Sequence, residues 1–216
     1  MTYQVANYAL TAASVIKPFV DTFDYKPFKI LAAEETYIKV KVIKNHIWIV
    51  MDDCKKSILR YQVSDTRTVS PCILSMRMAF DKFKVFPSKA LKFIADGYNA
   101  YPLAKQQFEI EENKLFDLTQ VIGLSNDDLV SEEFHWVKQI VERLNRTFKS
   151  SYRVTCGYGS DEVATYGFSL LVTYYNFLRP HPYNYWHPLN EIDVIKMLII
   201  CLPNSKFLQV WVNKQY

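Results

Sequence analysis

The sequence contains little glycine and cysteine, and it has no long apolar run. Only 5 of its 216 residues are Gly and 50% are hydrophobic, which excludes collagen-like, low-complexity and disordered chains. The 4 cysteines lie far apart without a Cys-x-x-Cys pair, so neither a zinc ribbon nor a disulfide framework is expected. The apolar run 197–202 is far shorter than the roughly 18 residues of a membrane span, and no basic segment marks a secretory signal. We therefore expect a cytoplasmic protein that does not contact a membrane.

The spacing of apolar residues predicts an α/β fold with one main core. A chain of 216 residues corresponds to one domain with an extension, at about 150 residues per domain. The expected strands, each rich in apolar and aromatic residues, are 36–42, 46–51, 57–63, 90–95 and 116–122. The expected helices are 3–20, bent or ended near Pro18, then 69–83, one between the last two strands, a long one after Asp128, and 162–178. This order matches a mixed five-stranded sheet with flanking helices, the RNase H-like architecture.

Acidic residues near strand ends, and one on the long helix, are the candidate chemistry. They are Glu34, Glu35, Asp52, Asp53, Asp96 and Glu142. Carboxylate oxygens suit Mg²⁺ and Mn²⁺, and two such ions about 4 Å apart promote phosphoryl transfer. Structural interpretations compete with this one. Asp96-Gly97 is typical of a turn that closes a strand, and Glu142 lies four residues from Lys138 and from Arg146 in an ordinary solvated charge network.

The net charge of +4 is too small to indicate nucleic-acid binding by itself, but the cations are unevenly placed. Between 138 and 153 there is one acid, Glu142, and five basic residues: Lys138, Arg143, Arg146, Lys149 and Arg153. These cations are candidates for phosphate contacts, which would make binding sensitive to salt and independent of sequence. For each of these cations, exposure to water on an ordinary helix face is an equally good interpretation.

Five segments, in this order, resemble the catalytic domain of bacterial insertion-sequence DDE transposases, which are relatives of retroviral integrases. They are AAEETYIKVKV, FIADGYNAYPLA, VIGLSNDD, KQIVERLNRTFK and YYNFLRPH, within 31–189. Each piece alone is weak, whereas the ordered set is specific. The resemblance implies an RNase H-like catalytic domain over 29–190, with a helical connector over 1–28 before it and a tail over 191–216 after it.

The resemblance also implies a catalytic triad that holds two Mg²⁺ (or Mn²⁺) ions. Asp96 matches the family's second Asp, Glu142 matches its Glu, and Glu34 stands where the family has its first Asp. One extra methylene moves a carboxylate by about 1.5 Å, whereas such sites tolerate about 0.5 Å, so we expect impaired chemistry. Glu35 should point to the opposite strand face, and Asp52 and Asp53 are a fallback source of ligands.

Two further departures from the family follow. Val42 stands where relatives commonly have Gly in a hairpin. A positive φ would strain a β-branched residue there, so we expect a longer or shifted hairpin. Since the chain begins just before the catalytic domain, we also expect it to lack the N-terminal helix-turn-helix or zinc-ribbon module that reads the element's ends.

The activity implied by the resemblance is hydrolysis of one DNA strand at a transposon end, followed by attack of the freed 3′-hydroxyl on a target phosphodiester. The implied partners are DNA and a second copy of the chain, since two ends must be joined, and the implied location is the bacterial nucleoid. Two other hypotheses stay open. One is a non-catalytic DNA-binding or dimerisation remnant, and the other is an unrelated RNase H-like nuclease that cleaves without joining.

Overall fold

The computed structural model describes residues 2–121 and 129–192, whose strands form a single five-stranded sheet. The strand order is β3-β2-β1-β4-β5. The first three strands pair antiparallel, whereas β4 runs parallel to β1 and β5 runs parallel to β4. The strands are β1 (Ile30–Val40), β2 (Ile43–Asp52), β3 (Ile58–Ser64), β4 (Lys92–Ala95) and β5 (Asp117–Gln120). The predicted mixed five-stranded sheet with flanking helices is confirmed.

Five α-helices lie at the predicted places in the chain. They are α1 (Thr2–Thr22), α2 (Val69–Phe80), α3 (Ala100–Glu111), α4 (Leu129–Thr155) and α5 (Asp161–Thr173). Pro18 does not end α1, which runs on to Thr22. The last predicted helix changes to a π-helical turn over Tyr174–Leu178, and a 3₁₀ turn over Pro182–Asn184 follows it.

The sheet carries a different layer on each face. Phe93 of β4 contacts Phe80 of α2, which also packs on Phe108 of α3 at 5.1 Å between ring centroids. The next residue, Ile94, points the other way and lines a cavity with residues of α4, since successive strand side chains alternate between faces. The buried residues of α4 recur every three to four positions, as expected for one apolar helix stripe: Phe134, Val137, Val141, Leu144 and Phe148.

The chain divides into two compact units. One is Asp24–Thr165, which contains the sheet and every candidate site residue, and the other combines Met1–Phe23 with Tyr166–Tyr216. In the second unit, Phe177 packs edge-on against Phe23 with ring centroids 4.9 Å apart. Of the expected tail, residues 193–216 lie outside the described part of the chain. Within the described residues, no helix combines the length and the apolar character needed to cross a membrane.

The β1–β2 hairpin is shorter than the sequence predicts. Val40 pairs directly with Ile43, so only Lys41 and Val42 form the loop. Both have positive φ, of 48° and 71°. Val42 thus adopts the positive φ that strains a β-branched residue, and the expected longer or shifted hairpin is wrong. Two-residue loops with two positive φ angles match the twist of the strands, and the pairing holds this geometry despite the β-branched side chain.

Candidate active site

Glu34 and Asp96 occupy equivalent positions on two neighbouring parallel strands. Ala32 of β1 is in register with Ile94 of β4, so Glu34 and Asp96 each lie two residues beyond the last pair. A separation of two residues keeps a strand side chain on the same face. Both carboxylates line one small cavity of about 30 Å³, whose apolar side includes Val137 and Val141 of α4. The sheet thus brings two of the three proposed carboxylates together against one helix.

The turn after β4 fixes Asp96. The backbone N–H of Tyr98 donates to Oδ1 of Asp96 at 3.1 Å. From β5, the side-chain amide of Gln120 donates to the backbone carbonyls of Asp96 at 2.9 Å and of Tyr98 at 3.1 Å. Asp96 therefore belongs to a turn that closes a strand and also faces the cavity, so its structural and functional interpretations are compatible.

A buried tyrosine and a buried cysteine lie within the electrostatic reach of this carboxylate pair. Burial raises the pKa of Tyr101 well above its ordinary value, and electrostatic interactions with Cys72, Asp96 and Glu34 raise it further, whereas Arg67 acts in the opposite direction. Burial, with a smaller effect of Asp96, raises the pKa of the Cys72 thiol to about 12. Both groups therefore stay protonated at neutral pH. Sequence reasoning missed them, because in the sequence they appear as ordinary core positions of two helices.

Glu142 is not part of this pair. Its side chain is 35% exposed and its Oε2 lies 3.6 Å from the guanidinium of Arg146. The preceding residue, Val141, lines the cavity, and the next helical position is turned by about 100° from it. Among the side chains that the structure describes, no three from His, Cys, Asp or Glu lie close enough together to hold a metal ion.

The donor chemistry at the cavity suits a divalent ion, although the ligand set is incomplete. Glu34 and Asp96 offer carboxylate oxygens, the ligands that Mg²⁺ and Mn²⁺ prefer. One oxygen of Asp96 already accepts the N–H of Tyr98. The resemblance to the transposase family assigns the third carboxylate to Glu142 on the adjacent helix.

Glu35 faces away from the cavity, as predicted, and forms an ion pair with Arg67. The Glu35 side chain is only 8% exposed. The Arg67 guanidinium stacks on the ring of Tyr98 at 3.9 Å, and the Tyr98 hydroxyl donates to the Arg67 carbonyl. Through Tyr98, this pair supports the same turn that holds Asp96. Sequence reasoning missed Arg67 because nothing in its local pattern marks a stacked partner.

Asp52 and Asp53, the fallback ligands, serve the turn between β2 and β3. Asp52 accepts backbone N–H groups from Phe28 at 2.7 Å, Cys54 at 2.8 Å and Lys55 at 2.9 Å. Asp53 is fully buried and contacts the ammonium of Lys56 at 3.5 Å. Burial raises the pKa of Asp53 to about 6, although Lys56 acts in the opposite direction.

The proposed phosphate-binding cations follow α4 beyond Glu142. Arg143 and Arg153 are exposed, and the Arg146 side chain is 79% exposed. The Lys149 ammonium lies 5.4 Å from the centre of the Tyr37 ring. Lys138 is also on α4, but its side chain lies outside the described part of the structure.

Comparison with known proteins shows the fold alone. No family model matches the sequence, and no curated protein matches it. Among solved structures, 23 chains match. The HTLV-2 integrase catalytic core domain in complex with magnesium, in its trimeric form, has a TM-score of 0.53 and 14% identity, with 76% of this chain and 95% of that chain covered.

A second solved structure gives a similar result. It is the simian T-cell lymphotropic virus intasome in complex with PP2A regulatory subunit B56 gamma, with a TM-score of 0.51, 17% identity and 72% of this chain covered. The present chain spans 50% of the length of the chain that it matches there. The protein therefore has the α/β fold of a retroviral integrase catalytic core, an RNase H-like mixed five-stranded sheet with flanking helices.

Proposed function

We propose that this chain is the catalytic domain of a DDE transposase of the bacterial insertion-sequence type, which cleaves one DNA strand and transfers the resulting 3′ end. The observation that carries the proposal is the convergence of Glu34 and Asp96 on one cavity beside α4. It is supported by the integrase-like fold and by the ordered sequence segments that resemble this transposase family. The proposed limits are 29–190 for the domain, with 1–28 as connector and 191–216 as tail.

Glu34, Asp96 and Glu142 would hold two Mg²⁺ or Mn²⁺ ions. Such ions, when bound, activate the attacking hydroxyl and neutralise charge on the leaving oxygen. The protein's own contribution is position. Tyr98 and Gln120 orient Asp96, and the apolar wall of Val137 and Val141 limits the access of water. The HTLV-2 core was solved with magnesium, which agrees with this choice of ion.

DNA would contact the cations of α4 through its phosphates. The proposed contacts are Lys138, Arg143, Arg146, Lys149 and Arg153. A homodimer would allow two transposon ends to be joined, and the bacterial nucleoid would be the place of action. One similar structure is an intasome and another is a trimeric form, which supports an assembly of more than one chain. Each cation that binds a phosphate releases counterions, so affinity should fall steeply with salt.

The second candidate is a non-catalytic DNA-binding or dimerisation remnant with the same fold. Glu34 favours it, because its carboxylate lies one methylene further from the backbone than that of Asp.

The decisive experiment is a Mn²⁺ titration by calorimetry on the full chain. Four proteins are compared: wild type, Asp96→Asn, Glu34→Asp and, as a matched control, Asp65→Asn, which removes an exposed carboxylate away from the cavity. We expect the wild type to bind Mn²⁺ weakly, Asp96→Asn to abolish this binding and Asp65→Asn to leave it unchanged. Glu34→Asp should strengthen it about tenfold or more, because the shorter side chain restores the ligand geometry, and tenfold corresponds to about 1.4 kcal/mol. No binding by any variant that retains its fold would overturn the metal site.

Activity separates the remaining hypotheses. Supercoiled plasmid and Mn²⁺ are incubated with wild type, Glu34→Asp and the double variant Glu34→Asp/Asp96→Asn. Nicking followed by strand joining with Glu34→Asp, lost in the double variant, supports the transposase. Nicking without joining supports the unrelated nuclease. Absence of both reactions from a Glu34→Asp variant that retains its fold supports the remnant.

A further inference from the structure

The β1–β2 hairpin carries a group of lysines that do not belong to the proposed DNA contacts on α4. Lys39 and Lys44 are directly opposite each other in the strand register, and Lys41 follows in the two-residue loop. All three are exposed. Like charges directly opposite each other destabilise a strand pair, so the arrangement works against the stability of the hairpin.

An exposed aromatic ring lies on the same strand face. Tyr37 is two residues from Lys39, and both its neighbouring ammonium groups lie within the range of a cation–π contact. The Lys44 Nζ lies 5.1 Å from the centre of the Tyr37 ring, and the Lys149 Nζ of α4 lies 5.4 Å from it. The hairpin lysines and the cationic helix therefore meet at one tyrosine.

Neighbouring carboxylates do not neutralise this surface. In the part of the chain that the structure describes, Lys39, Lys41, Lys44 and Lys149 take part in no ion pair with an acidic side chain. The nearby carboxylate of Asp161 instead accepts a hydrogen bond from the Asn45 side chain at 2.7 Å. Among the described residues, no carboxylate thus forms an ion pair with any of these four positive charges.

The backbone beneath these lysines is held in place from two other segments. The Lys39 N–H donates to the Tyr152 hydroxyl of α4 at 2.6 Å. Tyr158, in the turn after α4, exchanges two backbone hydrogen bonds of 2.9 Å with the hairpin, accepting from Lys41 and donating to the Lys39 carbonyl. Gly157 has a φ of 120°, and a Cβ there would lie 3.1 Å from the Lys39 carbonyl oxygen, so this close approach requires glycine.

We propose that the exposed lysines of the hairpin, together with Tyr37 and Lys149, form a second binding surface for the sugar-phosphate backbone of duplex DNA, which we name the hairpin patch. Its members are Tyr37, Lys39, Lys41, Lys44 and Lys149. The inference rests on the proposed DNA function and extends the DNA path from α4 to the tip of the hairpin. A phosphate between the opposed lysines relieves their repulsion, and backbone contacts position a duplex without reading its sequence.

The test is the salt dependence of DNA binding by the full chain, measured by fluorescence anisotropy on a labelled duplex of about 30 base pairs from about 50 to 200 mM salt. Lys39→Gln/Lys44→Gln removes two charges of the hairpin patch. The matched control, Lys29→Gln/Lys89→Gln, removes two exposed charges near the other end of β1.

For the hairpin double variant we expect the slope of log K against log salt to lose about 2 units, with affinity falling on the order of tenfold or more near 0.1 M salt. We also expect its melting temperature to rise, because the opposed charges are gone. Loss of DNA affinity with gain of stability is a combination that damage to the fold does not produce.

Three results would overturn the inference in distinguishable ways. An unchanged slope in the hairpin variant, with wild-type binding intact, refutes the hairpin patch alone. An equal loss in the control variant shows a general charge effect and refutes it as well. If the wild-type protein binds no duplex at low salt, the proposed DNA function itself is refuted. If the double variant does not fold, Lys44→Gln alone replaces it in the test, with an expected loss of about 1 unit of slope.

Discussion

Replacing Val42 with glycine should stabilise the protein. Val42 is the second loop residue of the β1–β2 hairpin, with a φ of 71°. Its side chain is 89% exposed, so the substitution removes almost no buried apolar contact. The substitution therefore changes only the free-energy cost of the backbone conformation at this position. L-residues with a β-branched side chain are disfavoured at positive φ, whereas glycine is not.

The magnitude follows from two opposing contributions. The left-handed conformation costs a non-glycine residue roughly 1–2 kcal/mol, and the β-branch of valine puts it at the upper end. Glycine gains conformational freedom in the unfolded chain, which costs about 0.5–1 kcal/mol. The difference is a net stabilisation of about 1 kcal/mol, or a rise in melting temperature of roughly 2–4 °C for a chain of this length.

Urea denaturation followed by circular dichroism measures this change, with Val85→Gly as the matched control. Val85 is 84% exposed and is absent from the residues with positive φ. The same substitution there should destabilise by about 0.5–1 kcal/mol, because only the entropic cost applies. Val42→Ala should fall between wild type and Val42→Gly. If the two glycine variants shift in the same direction, the argument from backbone strain is wrong.

Two other predictions concern buried acids. The pKa of Asp53 is about 6 in the folded protein against 3.8 unfolded, so the folded state binds more protons between these values and the free energy of unfolding falls as pH rises from about 4 to 6. In Asp53→Asn, the decrease in the free energy of unfolding between these pH values should be smaller by roughly 2–3 kcal/mol, as measured by urea denaturation at each pH. The exposed-site variant Asp65→Asn should show the same decrease as the wild type. Arg67→Gln leaves the Glu35 carboxylate without its cation and should destabilise by roughly 1–3 kcal/mol and weaken Mn²⁺ binding through the Asp96 turn. Arg67→Lys should restore part of the stability, and an unchanged Mn²⁺ affinity in Arg67→Gln would contradict the positional role.

The sheet was largely predictable because its pairing follows patterns within each strand. The runs over 46–51 and 57–63 are rich in β-branched and aromatic residues, and they correspond closely to β2 and β3. The start of β1 was missed by six residues. Ala32, Ala33, Glu34 and Glu35 have low strand propensity, and only pairing with β2, together with the pairing of Ala32 with β4, makes them a strand. As a result, Glu34 lies within β1 and not at its entrance.

The site was predictable only in part. No local pattern indicates that Glu34 and Asp96 meet, since 62 positions separate them; the resemblance to a known family supplied that pair, and the register of Ala32 with Ile94 explains it. The contacts of Arg67 with Glu35 and Tyr98 depend on three separate segments. The lysine pair of the hairpin depends on its register, which a loop one residue longer or shorter would change.

The third carboxylate does not decide between an active and a disabled enzyme. The ion pair between Glu142 and Arg146 is long and largely exposed, and such pairs contribute only tenths of a kcal/mol. A metal ion that attracts Glu142 therefore competes with a weak partner, and side-chain rotation on α4 costs little. Glu34 differs, because its backbone is paired with Ile49 of β2 and cannot retreat to compensate for an extra methylene. The two leading hypotheses therefore separate at Glu34→Asp, while the observed orientation of Glu142 agrees with both.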